Sequence, residues 1–272
     1  MTATKPLNLD LIFRAFKYTI YAVLALNILL FFQEESLATA QTFSQGINLK
    51  QIIHGFAATI DTAAWLILLL IFELETAILA DATLRKPRVQ GALVCLRLLS
   101  YGLIIYALYG YFNKMLMTYN VVPFAAADLC ALVGQGYTTI LTLDEYPFLD
   151  TQSCDRLANQ TLFQLNGQKI LGSLTDWVGI QWLAWVEVIN SITWLAVVVI
   201  LEVDVWLQLR GRTVYLSKII KALLYSILLA TATYWGFLGD FLDFWDAFVW
   251  LVAFVFIEMN LFQWQTETTA PS

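Results

Sequence analysis

A single histidine, His54, in 272 residues excludes bis-histidine haem ligation and multi-histidine metal sites built within this chain. No Cys-x-x-Cys pair, no Gly-x-Ser-x-Gly elbow and no glycine-rich phosphate loop occurs, so redox, hydrolase and nucleotide-binding readings have no constellation to stand on. No cofactor is expected, and the chain reads as a non-enzyme. Charge is scarce as well. Only 13% of residues are charged, and a net charge of −6 argues against nucleic acid as a partner.

What replaces charge is apolar surface. The chain is 60% hydrophobic with a mean hydropathy of +0.69, too apolar for a water-soluble domain. The expected fold class is all-α, a polytopic membrane protein whose principal partner is the lipid bilayer. Runs of about 20 apolar residues, the length that crosses ~30 Å of hydrocarbon, fall at roughly 11–33, 55–80, 92–117, 181–207, 217–237 and 243–264. Basic residues cluster at Lys5, Arg14 and Lys17, at Arg85, Lys86 and Arg88, and at Arg210, Arg212 and Lys218. With six spans these fall on one side, which the positive-inside rule makes cytoplasmic, in a plasma or bacterial inner membrane. Both termini are then cytoplasmic. A basic stretch, an apolar run and Ala38-Thr39-Ala40 imitate a signal peptide, but Glu34 and Glu35 interrupt the run and the helix reads as retained.

One phrase is written three times in the even spans. An Asp or Asn is followed four residues later by Trp, then by Glu-x-(Glu/Asp/Asn): Asp61, Trp65, Glu73 and Glu75; Asn190, Trp194, Glu202 and Asp204; Asp246, Trp250, Glu258 and Asn260. Glu187 and Asp243 precede the first polar position by three residues in the second and third copies, where the first has Ala58. The odd spans share a basic residue with Tyr one turn on: Arg14 and Tyr18, Arg97 and Tyr101, Lys221 and Tyr225. Two spans per unit keep every copy in the same orientation. The chain therefore reads as one membrane domain over 1–272, a six-helix bundle of three hairpins, roughly 11–80, 92–207 and 217–264, with approximate threefold character.

Carboxylates within spans mark either an ion pathway or a buried charge partner. Asp61 and Glu75 lie fourteen positions apart, within about 40° of one helical face and ~21 Å along the axis, whereas Glu73 points about 120° away. Two readings follow. In one, Asp61, Asn190 and Asp246 form one polar layer and Glu75, Asp204 and Asn260 a second, lining a conduit for a cation or proton. In the other, Asp and Asn near a boundary cap helices or reach headgroup water. Glu73, Glu202 and Glu258 belong to the pathway in the first view, and in the second pair with Arg14, Arg97 and Lys221 to fix how the hairpins register. A hard-cation site from these acids is allowed by their chemistry, but nothing in the sequence makes them converge, and no metal is assigned. Trp65, Trp194 and Trp250 read as packing wedges. Trp177, Trp182, Trp185, Trp235 and Trp245 fit an interfacial belt.

Segment 118–180 is an outer-side insertion in the second hairpin, with helical tendency around 124–133 and 168–177. Cys130 and Cys154 would pair there in an oxidising compartment, and Asn159-Gln160-Thr161 fits a glycosylation sequon. Cys95 reads as a small packing residue. Through this segment the chain could meet a second copy of itself or other members of a membrane complex. The functional expectation is a cation or proton channel or transporter. Its alternative is a non-catalytic accessory or assembly subunit whose carboxylates sit in structural pairs.

Overall fold

The computed structural model describes residues 9–43, 48, 51–208, 215–239 and 241–254. It is mostly helical. The chain runs through α1 (Leu9–Thr42), α2 (Ile52–Gly55), α3 (Ala57–Glu73) continued by a π-helical turn (Leu74–Ile78), α4 (Asp81–Leu84) and α5 (Pro87–Met117). After a sheet-bearing segment come α6 (Thr151–Leu157), α7 (Leu174–Gln208), α8 (Tyr215–Leu238) and a helix, α9, through 241–254. Among the described residues, four helical stretches are long and apolar enough to cross a membrane: Arg14–Thr42, Pro87–Met117, Leu174–Asp204 and Ile219–Leu238. α3 alone has 17 residues, and its π turn carries the rod on to Ile78.

α1 passes straight through Glu34 and Glu35, where the apolar run seemed to stop. Glu35 is 2% exposed, yet its carboxylate is satisfied. It accepts from the Ala58 and Thr59 backbone N–H groups at 2.8 and 3.0 Å and from the Thr59 hydroxyl at 2.6 Å. The first N–H groups of a helix have no partner within it, and an acid from a neighbouring helix completes them here. Glu34 and Glu35 thus lie within a helix that has no need to end.

The all-α expectation requires correction in segment 118–180, which builds a four-stranded sheet. Strands β1 (Val121–Phe124), β2 (Thr138–Thr139), β3 (Leu162–Leu165) and β4 (Ile170–Ser173) lie in the order β1-β3-β4-β2, with β1/β3 and β3/β4 antiparallel and β2/β4 parallel. Helical tendency lost because Asn166-Gly167 closes a hairpin, with Gly167 at φ +78°, a conformation only glycine adopts freely. Of the 124–133 region only Cys130–Leu132 winds, as a 3₁₀ turn. Trp177 leaves the expected belt. It is 2% exposed, and its indole N–H donates to the Phe163 carbonyl at 3.2 Å, seating the sheet on α7.

Cys130 and Cys154 are joined, with Cα atoms 5.2 Å apart. Asp150 caps α6 by accepting from the Ser153 N–H, which holds its carboxyl below the usual range. The crosslink closes a loop with a sequence separation of 24, for which chain entropy predicts about 3 kcal/mol. Reduction is expected to loosen 118–180, read by faster hydrogen exchange in β3 and β4, while the helical signal is retained.

In the bundle, α3 packs between α1 and α5, and α7 packs against α5 and α8. At Gly110 on α5, an added Cβ would lie 2.6 Å from the Ile53 carbonyl oxygen and 3.1 Å from the Ala57 Cβ. The obstruction is partly backbone and cannot rotate away. Gly110→Val is therefore expected to destabilise by about 1–3 kcal/mol, measured by chemical denaturation in micelles; an unchanged midpoint would mean that α2 and α5 separate at no cost.

Candidate functional site

The repeated phrase comes together. A cavity of about 60 Å³ is lined by Ala58, Asp61 and Trp65 of α3, Glu187, Asn190 and Trp194 of α7, and Asp243, Asp246 and Trp250 of α9. Each helix contributes the same three positions, spaced by three and four residues, which share one face of a helix. α1, α5 and α8 complete the wall with Phe31, Tyr111 and Trp235. The space holds about four waters.

On the side away from the sheet the cavity ends in an aromatic cluster. Ring centroids lie 6.2 Å apart for Trp65 and Trp194, 6.4 Å for Trp65 and Trp250, and 4.6 Å for Trp194 and Phe254. These rings pack at the centre of the bundle with Leu24, Ile104, Val197 and Leu228.

Each polar residue of the repeat accepts from, or is touched by, a different flanking helix. Asn27 of α1 donates to Asp246 at 2.7 Å, the Tyr111 hydroxyl of α5 donates to Asp61 at 3.3 Å, and the Thr231 hydroxyl of α8 donates to Asn190 at 3.1 Å. Two buried oxygens on the wall, Oδ1 of Asp61 and Oε2 of Glu187, accept nothing among the described residues, and the Trp235 N–H donates to nothing. Trp235 is 5% exposed, so it too leaves the interfacial belt, whereas Trp182 and Trp185 are exposed as a belt requires.

Glu187 is held from the other side. Lys114, at the end of α5, is buried between Asp144 of the sheet-bearing segment and Glu187, which it reaches at 3.3 Å. That segment therefore does carry chemistry into the bundle, through Asp144.

Beyond the aromatic cluster lies a layer of ion pairs whose partners differ from those the sequence suggested. Glu73 pairs with Lys17 at 2.6 Å, rather than with Arg14, which is exposed. It also accepts from Tyr18 and Tyr21, each at 3.2 Å. Arg97 pairs with Glu75 at 2.6 Å and Lys221 with Asp204 at 3.1 Å, and among the described residues neither cation forms an ion pair with Glu202. Glu202 is exposed and accepts from Tyr101 at 3.2 Å. Glu258 and Asn260 lie outside the described residues.

The reason is helical geometry. Residues two apart are about 200° apart around a helix, so Glu73 and Glu75 face different neighbours. Glu73 meets α1 and Glu75 meets α5.

The sequence contained a signal for this that a different alignment would have exposed. Lys17, Tyr21 and Phe31 have the same spacing as Arg97, Tyr101 and Tyr111 and as Lys221, Tyr225 and Trp235. Registering α1 on Lys17 rather than Arg14 brings both the ion-pair layer and the cavity wall into line. Glu35, Lys114 and Asp144 have no such counterpart, and only packing reveals them.

As for metals, Cys130, Cys154 and Asp155 are the only His/Cys/Asp/Glu group among the described residues with donor atoms within 4.8 Å of one another. Both sulfurs are consumed by the disulfide. Comparison with protein-family models, with curated proteins and with solved structures found no match.

Proposed function

We propose that this is an integral membrane protein of six spans, three parallel hairpins about an axis along the membrane normal, that binds and passes a cation or proton. The observation that carries this reading is the cavity in which Asp61, Glu187, Asp243 and Asp246 meet between helices. Carboxylates gathered within a membrane-spanning bundle select cations, and an apolar constriction beside them gates by dewetting. The Trp65–Trp194–Trp250–Phe254 cluster is placed to be that constriction. The basic link of Arg85, Lys86 and Arg88, which leads into α5, lies at the end of α5 away from the sheet, which makes that face cytoplasmic and puts the disulfide on the other side.

The test is potassium or proton flux into liposomes holding the purified chain, beside a folded Asp61→Asn, Asp246→Asn double variant. We expect at least a tenfold loss in the variant. Equal flux in both would remove the cavity from any pathway.

A second reading, an accessory subunit of a membrane complex, draws on the ion pairs. Lys17–Glu73, Arg97–Glu75 and Lys221–Asp204 tie helices together and leave those acids little freedom to hand on an ion. Leu141 and Phe148, exposed on the sheet-bearing segment, would then meet the partner. Recovery only in association with other chains favours this reading; a defined species that carries flux alone rejects it.

A further inference from the structure

We propose that the cavity is a binding site for a small ammonium cation, ammonium itself or methylammonium, held by free carboxylate oxygens on one side and aromatic rings on the other. The inference rests on the reading of this cavity as a cation site and specifies what that cation is. Among the described residues, four carboxylates line the space and no Lys or Arg does. Lys114 engages Glu187 from behind through Oε1 only.

Two acceptors remain open. Among the described residues, Oε2 of Glu187, a residue 7% exposed, and Oδ1 of Asp61, whose other oxygen takes the Tyr111 hydroxyl, have no donor within hydrogen-bond geometry. A buried carboxylate oxygen that accepts nothing is costly, and a ligand with N–H donors satisfies it.

The rest of the wall selects among cations. Calcium takes six to eight oxygens and magnesium a near-octahedral set, whereas a large part of this wall is ring: Trp65, Trp194, Trp235, Trp250 and Phe254. Rings attract ammonium groups through their quadrupoles, and this attraction strengthens where water is excluded. A cation of one or two heavy atoms fits a space of about four waters and leaves room for a companion water. The Trp235 N–H, buried and without an acceptor among the described residues, calls for such a water.

The experiment uses the full chain in nanodiscs. Tryptophan fluorescence is titrated with methylammonium chloride and, at matched ionic strength, with sodium chloride. Saturable binding of methylammonium at least tenfold tighter than sodium is expected, weakened at least tenfold in Asp61→Asn. Equal response to both salts overturns the inference, and this comparison needs no variant. Should Asp61→Asn not fold, Asp246→Asn is titrated in its place, and unaltered methylammonium affinity there counts against the site. Flux separates this from the broader reading. Asp61- and Asp246-dependent potassium or proton flux without methylammonium preference rejects the ammonium site alone. Methylammonium binding without flux of any cation supports the site and rejects permeation, whereas neither binding nor flux rejects both.

Discussion

Replacing Lys114 with methionine is expected to destabilise the protein by about 3–5 kcal/mol, the range for removing one partner of a buried ion pair. Lys114 is 4% exposed and is shared by Asp144 and Glu187, so its loss leaves two acids without their cation in a low-dielectric setting. Methionine keeps the length and the apolar stem, which confines the change to charge. Denaturation midpoints in micelles provide the measurement. A second substitution, Glu187→Gln, should recover part of the loss, because a neutral amide needs no counter-charge. A midpoint for Lys114→Met within about 0.5 kcal/mol of the parent would show that water reaches this position and that the sheet-bearing segment is not keyed to the bundle through it.

The two ends of the ion-pair layer should respond very differently. Glu73→Gln removes the partner of Lys17, with side chains 4% and 10% exposed, and about 3–5 kcal/mol is expected to go with it. Arg97→Gln opens a pair of the same 2.6 Å length, but its side chains are 37% and 29% exposed, and about 0–1 kcal/mol is expected. Distance is equal, so burial decides. Water screens the Arg97–Glu75 pair and already solvates each charge when it opens, whereas Lys17 would be left charged among apolar side chains. Raising salt from low to near-molar concentration should weaken the Arg97–Glu75 pair and leave Lys17–Glu73 nearly unchanged. Equal costs for the two substitutions would contradict the burial difference.

Several elements were legible because they depend on short-range rules. Apolar runs gave the start of α1 and both ends of α5, α7 and α8 to within several residues, since the length of an apolar helix is set locally. The Cys130–Cys154 pairing followed from compartment and spacing. Other parts were illegible for identifiable reasons. The end of α1 was misplaced because Glu35 looks like a break until Ala58 and Thr59 supply its partners. The sheet was missed because strands of two to four residues have too little periodicity to outweigh neighbouring helical signals. The choice of Glu75 over Glu202 for Arg97 depends on how α5 is rotated between α3 and α7, both of which pack against it, and nothing in local spacing states that.

The sequence by itself determined that charge is scarce, that Asp61 and Glu75, like their counterparts in the other copies, share one face of an apolar run, and that the helices suit a bilayer. These follow from composition and from a period of 3.6 residues. Only the tertiary structure decided that Asp61, Asn190 and Asp246 turn toward one shared cavity, and that Trp65, Trp194 and Trp250 close one side of it. It also decided that Lys17 rather than Arg14 holds Glu73. Rotation of each helix about its axis is fixed by what packs against it, and that information is spread over residues far apart in the chain.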